Sequence, residues 1–171
     1  ALIQGSVLLD DAEDGLVDLF IGDDGPPDVL LQNTGTSFSN VSETRLPRGR
    51  SGTYGAAAAD FDNDGDSDIY IGLCRESDGG INNFLYRRDD TGYTEVGVSA
   101  GVDDPNPSWG VTWFDFDNDG WLDLFVANEP TPAGSFSGSN TLYRNLGTGS
   151  FEDVSTSAGV AGPTEEASWS A

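Results

Sequence analysis

The sequence contains no histidine, no methionine, a single cysteine, and only 7 basic residues, all arginine, in 171 positions. Without histidine there is no imidazole to act as a general base and no nitrogen ligand for zinc or iron. The one cysteine, Cys74, has no partner for an internal disulfide and reads as a small hydrophobe inside a strand. The absence of methionine leaves no initiator, as expected of a mature or excised piece of a longer product. Against the 7 arginines stand 30 acidic residues, for a net charge of −23. That balance excludes nucleic acid as a partner, because phosphate binding relies on Lys and Arg. It favours cations and a calcium-containing or high-salt medium. No apolar run approaches the roughly 20 residues of a transmembrane helix. No window sustains apolar spacing at i, i+3, i+4, i+7, so almost no helix is expected.

What is present is turn chemistry, aromatics and repetition. The chain has 23 glycines, 8 prolines and 11% aromatic residues, enough for one domain with a packed core and many turns. The segment "WGVTWFDFDNDGWLDLFVANE" from Trp109 aligns with "YGAAAADFDNDGDSDIYIGLC" 55 residues earlier, from Tyr54. A further step of 50 reaches "QGSVLLDDAEDGLVDLFIGDD" from Gln4. Downstream, "NTLYRNLGTGSFEDVSTSAGV" from Asn140 matches "NNFLYRRDDTGYTEVGVSAGV" from Asn82 and, more loosely, "DVLLQNTGTSFSNVS" from Asp28. The units are therefore residues 4–53, 54–108 and 109–168, with 169–171 opening a fourth.

Each unit reads as four short strands, for example "GAAAADF", "DIYIGL", "NFLYRR" and "YTEV", with a glycine-containing turn before the last. Four antiparallel strands repeating at such a period predict an all-β fold of about three propeller blades, partial or open. The small residues of "GAAAAD" suit an innermost strand, where backbones crowd near the axis.

Between the first two strands of each unit lies an acidic loop. Asp at positions 1, 3 and 5, Gly at 6 and Asp at 9 is the pattern of a tight turn around a hard cation, and calcium takes six to eight oxygens. In the second unit the candidate ligands are Asp60, Asp62, Asp64 and Asp68, with the carbonyl of Asp66. In the third they are Asp115, Asp117, Asp119 and Asp123, with the carbonyl of Trp121. The first loop keeps Asp10, Asp14 and Asp18, with the carbonyl of Leu16, but has Ala12 at position 3; its site is expected to be weak or completed by water. An EF-hand is excluded, because position 12 is Ile71 or Val126 instead of Glu and the flanks alternate as strands. Thrombospondin type-3 repeats share "DNDG" but continue with aspartates and cysteines absent here.

The loop together with "NTLYRNLGTGSFEDVSTSAGV" resembles FG-GAP/VCBS-type repeats, such as those of integrin α-subunit propellers and of many secreted bacterial and animal proteins. The resemblance covers essentially the whole chain. It implies calcium-stabilised blades, an extracellular or cell-surface location, and a role in adhesion or in binding a protein or glycan. Two departures stand out: the first loop is degenerate, and three units fall short of the roughly six to eight blades usual in such propellers. No Gly-x-Ser-x-Gly elbow occurs and the clustered carboxylates are assigned to metal, so a glycan-processing enzyme is the least favoured reading. Trp109, Trp121 and Phe136 are candidate ligand platforms, with blade packing the plainer role. Three blades leave two sheet edges open, so a structural subunit pairing with copies of itself is the alternative function. Residues 167–171 are then expected to be extended and to leave a three-bladed ring unclosed. Asn40-Val41-Ser42 fits a glycosylation sequon, relevant only to a glycosylating cell.

Overall fold

A computed structural model describes residues 3–25, 27–47, 52–74, 82–129 and 139–161. Among the described residues twelve strands form three four-stranded antiparallel sheets in simple meander order. The first holds β1 (Ile3–Leu9), β2 (Asp18–Asp23), β3 (Val29–Asn33) and β4 (Phe38–Asn40). The second holds β5 (Thr53–Ala59), β6 (Asp68–Leu73), β7 (Phe84–Asp89) and β8 (Gly92–Glu95), and the third β9 (Ser108–Phe114), β10 (Asp123–Asn128), β11 (Thr141–Asn145) and β12 (Phe151–Asp153). Each fourth strand runs into a single helical turn: α1 (Ser42–Arg45), α2 (Gly97–Ala100) and α3 (Ser155–Ala158). The alternating β-branched and aromatic pattern thus produces blades, and β6 and β10 have the bounds expected from sequence. The inner strands begin two residues earlier than expected and stop before the acidic loop. Residues 167–171 and Phe136 lie outside the described residues.

The blades pack face to face in chain order. In the seam between the first and second, Val7, Phe20 and Leu30 meet Ile69, Ile71 and Tyr86. In the seam between the second and third, Phe61, Tyr70 and Leu85 meet Trp113, Leu124, Val126 and Tyr143. The inner strand β5 packs against both β1 and β9. Glycine is needed there for room: a Cβ on Gly55 would sit 3.1 Å from the Trp109 carbonyl oxygen. Trp109, half-buried, meets Tyr54 edge-on at 4.9 Å and donates its Nε1–H to Glu129. Cys74 falls one residue past β6, half-buried beside Glu129, and not within a strand as the sequence suggested.

Two polar latches recur at these seams. Asp28 and Asn83 each stand just before a third strand. Each accepts the N–H that ends the second strand (Asp23 or Leu73), and each bonds a hydroxyl of the next blade (Thr53 or Ser108) at 2.9 and 2.7 Å. In the second latch, the residue at or near the end of a third strand reaches back to the acidic loop of the preceding blade. Asn145 donates to the Phe61 carbonyl at 2.8 Å, and Arg88 donates to the Asp11 carbonyl at 3.0 Å. Asp11 also places its carboxylate 3.2 Å from Arg88 Nε, with both residues buried. Removing one partner of a buried pair leaves the other charge uncompensated. Asp11→Ala is therefore expected to cost about 3–5 kcal/mol in urea unfolding, and Asp11→Phe with Arg88→Asn, which copies the second seam, to recover most of it.

The Asp28 latch also carries a pH dependence. Burial, its largest cause, pushes the Asp28 carboxyl up to about 6, against the favourable bonds from Asp23 N–H and Thr53. A group whose pKa is raised on folding contributes stability below its unfolded pKa and loses it as pH rises through the folded one. Relative to wild type, Asp28→Asn should gain about 2 kcal/mol in stability between pH 4 and pH 7. Urea melts at the two pH values, with calcium held constant, check this.

Candidate metal centre

The three acidic loops have one local design. Position 6 is Gly15, Gly65 or Gly120, with φ of +79°, +102° and +91°. A Cβ there would meet nothing within 4 Å, so the demand for glycine is conformational and not steric. Position 4 is also left-handed, at Glu13, Asn63 and Asn118, and asparagine tolerates that region better than most residues. The turn is folded by its own carboxylates. The position-1 aspartate accepts the N–H groups of positions 5 and 6, as Asp60 does from Asp64 and Gly65, both at 3.0 Å. Asp10 and Asp115 repeat this. The position-5 aspartates Asp14, Asp64 and Asp119 accept the N–H of Leu16, Asp66 and Trp121, the residues whose carbonyls the sequence nominated.

Position 9 does something different. Asp18, Asp68 and Asp123 open the second strands and are fully buried. One oxygen of each accepts the N–H of position 2 (Asp11, Phe61 or Phe116) and the other that of Asn33, Arg88 or Asn145 on the third strand. This residue therefore ties loop and outer strands together. Burial pushes the Asp68 carboxyl up to about 7, and burial likewise raises Asp123.

Among the described residues, position 3 reaches no N–H of the third strand, and Asp62 accepts only from the backbone of Asp64. Asp62 Oδ1 is buried without a hydrogen-bond partner, and burial, with the charge of Asp64, raises its pKa. A desolvated, unsatisfied carboxylate pointing among other carboxylates is costly unless a cation completes it. Among the described residues two groups of acidic oxygens converge within 4.8 Å: Asp60, Asp62 and Asp64, and Asp115, Asp117 and Asp123. Both contain position 3. The first loop, with Ala12 there, forms no such group. The donors are oxygens only, which suits a hard divalent cation and no soft one.

In metal-free buffer, Asp62→Ala should leave the melting temperature unchanged or slightly higher, because it removes a repelled carboxylate. Asp68→Ala, which strands the buried N–H groups of Phe61 and Arg88, should lower stability by about 2 kcal/mol or more.

Trp121 is half-buried against Gly147, where a Cβ would come within 2.7 Å of the indole, so with Trp109 it serves packing. Asn40 is exposed, its Oδ1 accepting from Ser42. The latch residues Asp28, Asn83 and Asn140 were not recognised, although they share one column when the units are aligned. Neither was Asp104, which is buried and accepts from Thr141, Asn128 and Asn106, tying the link between the second and third units into the third blade.

Residues 12–71, from the first acidic loop to the middle of β6, match the FG-GAP-like repeat. No curated protein sequence matches the chain. The FG-GAP-like match starts at the position-3 residue of one loop and takes in the whole of the next, and the third blade repeats the same loop and strand order. FG-GAP-like repeats are generally non-catalytic and typically extracellular. Among the described residues no helix is long and apolar enough to cross a membrane.

Proposed function

We propose that this chain is a non-enzymatic, extracellular FG-GAP-type module for adhesion or ligand binding, with calcium as a structural ion in its second and third loops. The observation that carries the reading is the convergence of three carboxylates in each of those loops, with Asp62 Oδ1 buried and unsatisfied among them. Asp60, Asp62, Asp64 and Asp68, with the Asp66 carbonyl, would hold one ion; Asp115, Asp117, Asp119 and Asp123, with the Trp121 carbonyl, would hold the other. The first loop, lacking a carboxylate at Ala12, would bind weakly or through water. Bound calcium supplies positive charge that converts mutual repulsion into a cross-link between the first two strands of a blade. The rigid blades then present their loops and faces to a protein or glycan partner.

Calorimetric titration should give two sites per chain. Asp62→Ala and Asp117→Ala should each remove one, and Ala12→Asp should strengthen the first loop. At a hundredfold excess over Kd each filled site adds about 2.7 kcal/mol, so chelation should lower the melting temperature by well over ten degrees for a domain of this size. High monovalent salt should restore only part of it by screening. No calcium heat, with an unchanged melt in excess chelator, would count against the reading.

A further inference from the structure

Asn33, Arg88 and Asn145 share one column of the repeat, at or near the end of the third strands. The backbone N–H of each donates to the position-9 aspartate of its own blade. Their side chains reach different places. Asn33 Nδ2 donates to the Val17 carbonyl of its own blade at 3.1 Å. Arg88 turns its guanidinium to Asp11, in the loop whose position 3 is Ala12. Of the three, only Asn145 bonds both loops in which acidic oxygens converge.

Asn145 is buried, and it holds the third loop twice. Its backbone N–H donates to Asp123 Oδ1 at 2.8 Å, and Nδ2 donates to the carbonyl of the preceding Leu122 at 3.1 Å. The same Nδ2 donates to the Phe61 carbonyl in the second loop at 2.8 Å. Gly147 N–H fixes Oδ1 at 3.0 Å, so the amide cannot turn over without losing all of its side-chain bonds. Phe61 stands between Asp60 and Asp62. Its own N–H donates to Asp68 Oδ2 at 3.1 Å, and its buried ring packs on Trp113 and Phe151 of the third blade. When repulsion among Asp60, Asp62 and Asp64 opens the second loop, the Phe61 carbonyl leaves Asn145. When the third loop opens, Asp123 and Leu122 shift and take Asn145 away from Phe61.

We propose that Asn145 is a positioning residue that couples the second and third acidic loops. Closing either loop favours closing the other, and a cation bound in one therefore tightens binding in the other. The cation consequence rests on the calcium sites proposed above; the coupling itself is carried by protein hydrogen bonds. Such coupling is reciprocal, and one buried amide–carbonyl bond sets its size at about fivefold in affinity. Electrostatics alone gives the opposite sign, because the first ion neutralises part of the charge that attracts the second. Salt screens that term over a Debye length of about 8 Å at physiological ionic strength and leaves the hydrogen bond in place.

Calorimetric calcium titration and native-state hydrogen exchange of the full chain at physiological salt test this. Asp117→Ala leaves the second site and Asp62→Ala the third. The product of the two wild-type affinities should exceed the product of those single-site values about fivefold, and Asn145→Ala should abolish the excess. In metal-free buffer Asn145→Ala should speed exchange about fivefold at Asp64, Gly65, Asp119 and Gly120, with Asp14 and Gly15 unchanged. A general loss of stability would move all three loops. Asn33→Ala, in the same column, should speed Asp14 and Gly15 alone. If Asn145→Ala does not fold, the Asp62→Ala chain carries the test: calcium in its third loop should slow exchange at Asp64 and Gly65 of the second. Wild-type binding no tighter than the single-site values combined, an excess that survives Asn145→Ala, exchange that rises in one of the two loops only, or a second loop indifferent to calcium in the Asp62→Ala chain would overturn the proposal. No calcium heat, with the metal-free exchange response intact, would refute the metal reading alone and leave the coupling standing.

Discussion

The structure depends on one buried carboxylate repeated three times. Asp18, Asp68 and Asp123 open the second strand of each blade, and each spends its two oxygens on N–H groups from opposite directions, one in the acidic loop and one on the third strand. A carboxylate at full burial is unfavourable unless it is hydrogen-bonded or paired. Here two backbone donors and a turn full of other carboxylates fix its position. The loop cannot shift without breaking the tie to the outer strands, and the outer strands cannot slide without unseating the loop. That coupling makes a surface turn part of the blade core and gives a cation held there leverage over the whole sheet.

The blade was legible in the sequence because two signals coincide. Period-2 alternation in "DIYIGL" and "DLFVAN" marks the central strands, and the D-x-D-x-D-G-x-x-D spacing fixes the turn before them. The clusters Asp60–Asp62–Asp64 and Asp115–Asp117–Asp123 fall within the nominated residues, and the first loop fails where Ala12 interrupts the pattern. The double role of position 9 was not legible, because spacing alone does not separate a carboxylate that folds the turn from one that faces a cation. The seam latches were missed for a related reason. Asp28, Asn83 and Asn140 are single polar residues ahead of apolar strands, and their meaning lies in a hydroxyl roughly 25 residues further on, which only packing brings near.

The seams show how a repeat protein specifies neighbours. Every blade uses the same strand order, yet the loop-to-strand contact is an ion pair at the first seam and an amide–carbonyl bond at the second. Swapping the partners of one seam for those of the other would bury Arg88 beside a phenylalanine or Asp11 beside an amide, and an unpaired buried charge is strongly destabilising. The two seams thus carry different polar contacts laid over apolar faces, so their partners are not interchangeable.

In the proposed reading the second and third loops are cation-dependent turns pinned to their blades, while the first, with Ala12 at position 3, gains little from a cation. Native-state hydrogen exchange with and without calcium tests it directly. The account predicts that calcium slows exchange at the amides of Asp64, Gly65, Asp119 and Gly120, and, through the position-9 aspartates, at Arg88 and Asn145, while Asp14 and Gly15 barely change. Equal protection of all three loops on adding calcium, or no change in any, would contradict it.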